Sequence, residues 1–102
     1  MSTKKIRATH YLEKKYGPLS LGDFIKSLRE SEGLSQTEFA LKLKISRANL
    51  CDIEKNRKLV SPERSARFAK VLNYPENFFV KLSLDDILRK SKLNYHIELK
   101  AS

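Results

Sequence analysis

The sequence predicts an all-α fold: a five-helix domain preceded by a short N-terminal extension and followed by a C-terminal helix and a strand-period tail. Three observations predict it. Residues 35–57 read as two short capped helices joined by a three-residue turn, Leu21, Phe24, Ile25 and Leu28 form an i, i+3, i+4, i+7 stripe, and Ser61-Pro62 places an N-cap and an N1 proline at the head of a further helix.

Along the chain, a basic tail with Lys4, Lys5 and Arg7 leads into a weakly patterned segment, Arg7 to Tyr16, that reads as a short helix closed by Gly17-Pro18. The next helix runs from about Gly22 to Glu32, with Gly33 suited to the left-handed C′ position. Ser35 and Glu38 have capping-box spacing, and Leu34 and Phe39 flank them as a hydrophobic staple. Ser46 repeats the N-cap with Asn49 at N3 and Ile45 and Leu50 placed to staple. Asn56 is expected to end that helix in the left-handed conformation, before a loop from Arg57 to Val60.

The helix opened by Ser61 runs through about Leu72, burying Ala66, Phe68 or Ala69, and Leu72, until Asn73 and Pro75 break it. A short helix from Pro75 carries Phe78, Phe79 and Leu82. These aromatics are expected to close the core, although two adjacent Phe also fit a ligand or partner surface. Ser83 with Asp85 and Asp86 reads as the start of a separate helix ending in Arg89, Lys90 and Lys92, since acids suit the first turn and cations the last. Leu93 to Leu99 alternates apolar and polar residues; a lone strand must pair with its copy in a dimer, join a partner's sheet, or stay disordered. The boundaries expected are a basic extension over 1–20, a domain over 21–82, and a C-terminal helix and tail over 83–102 for dimer or partner contacts.

A chain of 102 residues, 40% hydrophobic and 32% charged, makes one globular domain. Lys and Arg number 21 against 12 acids, a net charge of +9, which favours a polyanionic partner such as nucleic acid. Between Lys42 and Arg67 eight basic residues face three acids, so the charge is concentrated around the helix that begins at Ser46. With Phe39, Ala40, Leu43, Leu50 and Ile53 turned inward, that helix would present Arg47, Ala48, Asn49 and Asp52 outward, a shape suited to entering a major groove.

Other chemistries find no support. Cys51 stands alone, His10 and His96 lie at opposite ends, and Gly17, Gly22 and Gly33 are scattered, so no disulfide, metal site, catalytic constellation or phosphate loop is expected, and neither enzyme activity nor a cofactor. No apolar run approaches the ~18 residues of a membrane span, and a cytoplasmic protein with no membrane partner is expected.

The motif residues Arg29, Leu34-Ser35-Gln36, Phe39-Ala40, Leu43, Ile45-Ser46, Leu50, Ile53-Glu54 and Leu72-Asn73-Tyr74 resemble the five-helix helix-turn-helix domain of the Xre family, over about Leu21 to Leu82. That family includes phage lambda-type repressors, Cro proteins and many toxin-antitoxin antitoxins. The resemblance implies that Gln36 grips a phosphate, that Arg47, Ala48 and Asp52 face base edges, and that Ser46, Asn49, Asn56, Arg57 and Lys58 lie against the DNA backbone. It implies a structural ion pair between Arg29 and Glu54. Two positions depart from the family, which usually carries glycine where Lys44 and Asn56 stand; a left-handed lysine costs about 1 kcal/mol.

On chemistry, Arg47 can bridge guanine O6 and N7, and Ala48 can touch a thymine methyl. Asp52 either accepts from a cytosine amino group or is a surface charge paired with Lys55 or a neighbour. The function expected is sequence-specific binding of double-stranded DNA as a transcriptional regulator of repressor type, as a homodimer, because one reading helix seldom gives enough contacts. The alternative is an antitoxin that neutralises a cognate toxin and autoregulates its operon, with Leu93 to Leu99 adding a strand to that partner. A third reading, non-specific binding through charge, predicts steep salt dependence without sequence preference.

Overall fold

The structure, a computed structural model, describes residues 19–92. They form five helices in the order α1 (Leu21–Ser31), α2 (Gln36–Leu43), α3 (Arg47–Glu54), α4 (Pro62–Leu72) and α5 (Glu76–Lys90). The helix expected over 7–16 and the strand-period segment 93–99 lie outside the described residues.

Four serines start four of these helices. Ser20, Ser35, Ser46 and Ser61 are extended N-caps whose hydroxyl oxygens accept from the backbone N–H of Asp23, Glu38, Asn49 and Arg64 respectively. Each such cap contributes about 1 kcal/mol. The box at α2 is complete, because the Ser35 N–H donates to Glu38 Oε1 at 3.0 Å and thereby holds the Glu38 carboxyl below its ordinary pKa. Left-handed residues follow the helices: Gly33 at φ 69° and Asn56 at φ 60°, as the sequence suggests, and also Lys44 and Asn73 at φ 60°. At Lys44 the strain is borne because the turn closes on α2, with the Lys44 and Ile45 N–H groups donating to the carbonyls of Leu41 and Ala40.

The core joins Leu21, Phe24 and Ile25 of α1 to Phe39 and Leu43 of α2, Leu50 and Ile53 of α3, Phe68 and Leu72 of α4, and Phe79 and Leu82 of α5. Helix α5 packs chiefly against α4 and also touches α1. Phe24 meets Tyr74, Phe78 and Phe79 edge-on at centroid distances of 5.4, 5.2 and 5.8 Å. Phe79 is wholly buried and Phe78 half-buried, so this pair closes the core rather than forming an exposed surface.

Two sequence expectations are corrected here. No helix begins at Ser83, because α5 runs unbroken from Glu76 to Lys90. Ser83 is buried and its hydroxyl donates to the Val60 carbonyl at 2.6 Å, while Asp85 pairs with Lys81 one turn back and Asp86 accepts the Leu21 N–H at 3.0 Å. Groups that resemble a helix start are thus spent on tertiary contacts. Burial pushes the Asp86 carboxyl above its ordinary pKa, against the opposing pull of the Leu21 N–H and Arg89. On α4, Ser65 rather than Ala66 takes the fully buried position, which its hydroxyl tolerates by donating to the Pro62 carbonyl at 2.7 Å.

The start of α1 sits directly on the end of α3. A Cβ at Gly22 would come within 2.1 Å of the Ile53 carbonyl oxygen, so glycine is what permits the approach. Asn56 then stitches the junction, accepting from the Ser20 hydroxyl at 2.7 Å and donating to Asp23 Oδ1 at 2.9 Å. Gly22→Ala is therefore expected to destabilise the domain by about 1–3 kcal/mol, through displacement of α3 rather than through helix propensity, which favours alanine. Urea unfolding measures it; an unchanged or higher midpoint would contradict this packing.

Candidate nucleic-acid interface

Helix α3 turns Leu50, Ile53 and Glu54 into the protein. At 100° per residue, Ala48 and Asp52 fall on the opposite strip and Arg47 stands at the first turn. Arg47 and Ala48 are exposed and Asp52 half-buried, so no described part of the chain covers this face. Cys51 is half-buried beside it.

What fixes the helix is a buried ionic node. Arg29 of α1 donates through Nε to Glu54 Oε2 at 2.7 Å and through Nη2 to Oε1 at 3.0 Å. Its Nη1 donates to the Leu34 carbonyl at 3.0 Å. Gln36, the first residue of α2, donates from Nε2 to Glu54 Oε1 at 3.0 Å. One carboxylate therefore ties α1, α2 and α3 together. Burial pushes the Glu54 carboxyl up, but the bonds from Arg29 and Gln36 outweigh it and hold the group below its ordinary value. The bond to Glu54 likewise raises the Arg29 guanidinium.

On the outward side of the same end of α3, Asp52 pairs with Arg57 at 3.6 Å and Lys58 at 3.7 Å, not with Lys55. The Arg57 and Lys58 N–H groups also donate to the Asp52 main-chain carbonyl, so the loop after α3 folds back onto the helix and carries its two cations with it. Both remain exposed.

The residues singled out in the sequence are thus in three conditions. Arg47, Ala48, Arg57 and Lys58 are exposed, and Ser46 is an exposed cap whose hydroxyl proton is uncommitted among the described residues. Gln36 and Asn56 are engaged inside the fold, each through one amide proton, which leaves the second for an outside acceptor. Asn49 is half-buried, and its Oδ1 is shielded from solvent with no hydrogen-bond partner among the described residues. The Gln36 contribution to the node was missed in the sequence, as was the bridge from Ser20 and Asp23 to Asn56. Only the Ser20-x-x-Asp23 spacing hinted at the latter, since it is a cap signal.

Comparison with family models matches residues 25–79 to the family HTH_3, described as helix-turn-helix. The chain belongs to this family. The matched span covers α2, α3 and the turn between them, together with Arg29 and Glu54, and the HTH_3 domain is a DNA-binding domain of transcription regulators. Comparison with curated proteins and with solved structures found no match. Among the described residues no helix is long and apolar enough to cross a membrane, and no His, Cys, Asp and Glu group is placed to hold a metal ion.

Arg29→Met would strand the Glu54 charge in the helix-turn-helix node with only Gln36 for a partner. Its expected cost is about 3–5 kcal/mol at pH 7. Because the pair lowers the folded pKa of Glu54, its stabilisation is complete above the unfolded value of about 4.3 and disappears as pH falls through the folded one. The gap between wild type and variant should therefore narrow on acidification, as denaturant titrations across that range would show. A pH-independent gap would rule out the ionic origin.

Proposed function

We propose that the protein is a sequence-specific double-stranded DNA-binding regulator of repressor type that inserts α3 into the major groove and acts as a homodimer. The observation that carries the proposal is the uncovered face of α3, bearing Arg47 and Ala48, on a helix pinned at its C-terminal end and packed along its back. A rigid helix can present side chains to base edges at fixed positions, which a mobile cationic segment cannot.

The roles follow from chemistry. Arg47 offers a bidentate fork to guanine, and Ala48 a methyl-sized contact to thymine. Asp52 keeps lone pairs for a cytosine amino group while holding Arg57 and Lys58 beside the helix, where they oppose its repulsion of phosphate. Ser46, Asn49, Asn56, Arg57 and Lys58 lie along the DNA backbone. Gln36 adds its second amide proton, and the open N–H groups of the first turn of α2 favour a phosphate there. A single reading helix of eight residues gives few base contacts, so two protomers on half-sites about one helical turn apart supply the affinity.

Selection of bound sites from random duplex DNA tests this reading. Arg47→Ala should relax preference at one position of the half-site at a cost of about 1–3 kcal/mol on the preferred sequence. Lys58→Ala should instead weaken all sequences alike and lower the slope of log affinity against log salt by about 1. Uniform loss from both substitutions would show that Arg47 does not read bases and would leave only charge-driven binding.

A further inference from the structure

A second surface lies on the flank of α3 away from Arg47. The α2–α3 turn and α4 enclose a groove of about 570 Å³ to which Asn49 also contributes. Its apolar lining is Leu43, Ile45, Phe68 and Val71. Leu43 and Phe68 are core residues that floor the groove and are almost wholly buried, whereas Val71 is 41% exposed. Around this lining stand Lys44, Arg64, Arg67 and Lys70, and no carboxylate lines the groove.

Lys44, Arg64 and Arg67 have no ion-pair partner among the described residues, and Lys70 has only an exposed one, Glu76 at 3.3 Å. The Arg64 guanidinium lies over the Phe68 ring at 5.5 Å, which keeps it beside the apolar lining rather than out in solvent. Four like charges beside one apolar trough repel one another, and an anionic occupant that also buries apolar surface relieves both costs.

We infer that this groove docks a short acidic segment of a partner protein, one with carboxylates flanking a large apolar side chain such as Leu or Phe. Charge complementarity sets the sign of the occupant, and the lining sets its class. A DNA strand would satisfy the cations, but its phosphates would leave the solvent-facing parts of Ile45 and Val71 uncovered, whereas a leucine or phenylalanine side chain buries them. The site adjoins the proposed DNA-facing surface at Asn49 but does not include Arg47 or Ala48, so docking there and groove reading make different demands on the surface.

Fluorescence anisotropy on the full chain with a labelled acidic peptide, EEDLFEDE, tests the inference. The controls are the same peptide with every acid replaced by Lys, and one with Gly-Ser in place of Leu-Phe. The parent peptide should bind at least about tenfold more tightly than either control at physiological salt. Arg67→Glu and, separately, Val71→Asp should each weaken it by about tenfold without changing the unfolding midpoint, since both side chains are exposed.

Equal binding of the parent and Gly-Ser peptides would reduce the groove to a charge effect and overturn the proposal, as would no binding at all. If Arg67→Glu and Val71→Asp instead both weaken binding to random-sequence duplex, and that duplex displaces the peptide, the surface belongs to the DNA footprint. If they abolish self-association in sedimentation while the peptide fails to bind, it belongs to a second copy of the chain. Either result also overturns the inference. None of these outcomes bears on base reading by Arg47, which is tested separately.

Discussion

The Glu54 carboxylate is the point on which the arrangement of the first three helices depends. Arg29 from α1 grips it with two nitrogens and Gln36 from α2 with a third, all within 3.0 Å, and the side chain is 2% exposed. A charge that deep is tolerable only with its lone pairs filled. The bond from Arg29 to the Leu34 carbonyl extends the constraint to the residue that leads into α2. The node therefore specifies geometry more than it adds stability: an apolar substitute could fill the space, but nothing apolar would fix where the first turn of α2 lies relative to α3.

The same C-terminal end of α3 is held by a second set of contacts as well. Gly22 lets the α1 backbone lie against the Ile53 carbonyl, and Asn56, bonded to Ser20 and Asp23, closes the same junction. The Asp86 carboxylate reaches across from α5 to accept the Leu21 N–H at the start of α1. Hence α5, which does not supply the exposed face of α3, still positions it through α1. Asp86 and Glu54 respond oppositely to acid. Burial favours the neutral form of Asp86, whereas the bonds to Glu54 favour its charged form, so folding assists proton uptake at Asp86 and opposes it at Glu54, and acid weakens the fold through the node.

Local chemistry was legible in the sequence, and long-range partnership was not. Ser35, Ser46 and Ser61 declared helices because a cap and its acceptor lie three residues apart, and Gly33 and Asn56 declared the ends. The Arg29–Glu54 pair and the left-handed Lys44 came from resemblance to a family whose pattern this chain follows and, at Lys44, departs from. Ser83, Asp85 and Asp86 misled for the converse reason. Their types fit a first turn, but Ser83 and Asp86 bond to groups 23 and 65 residues away, and no local rule sees such partners. Ser65 replaced Ala66 in the core for a similar reason: a serine looks polar until its hydroxyl finds the Pro62 carbonyl. At the interface, the outward face of α3 could be read from periodicity. The engagement of Gln36 and Asn56 within the fold could not, because each has a residue type equally suited to touching phosphate.

Structural duties and exposed chemistry are separated along α3. Leu50, Ile53 and Glu54 hold the helix, while Arg47 and Ala48 make no hydrogen bond or ion pair through their side chains among the described residues. The separation has an evolutionary consequence that follows from energetics alone. Changes at 47 and 48 can alter the chemistry of the exposed face at little cost in stability, since surface substitutions away from such networks usually stay within about 0.5 kcal/mol. Asp52 lies between the two regimes: it faces outward, yet it holds Arg57 and Lys58. Replacing it would change both the local charge and the course of the loop, so this position is the least free of the three to drift.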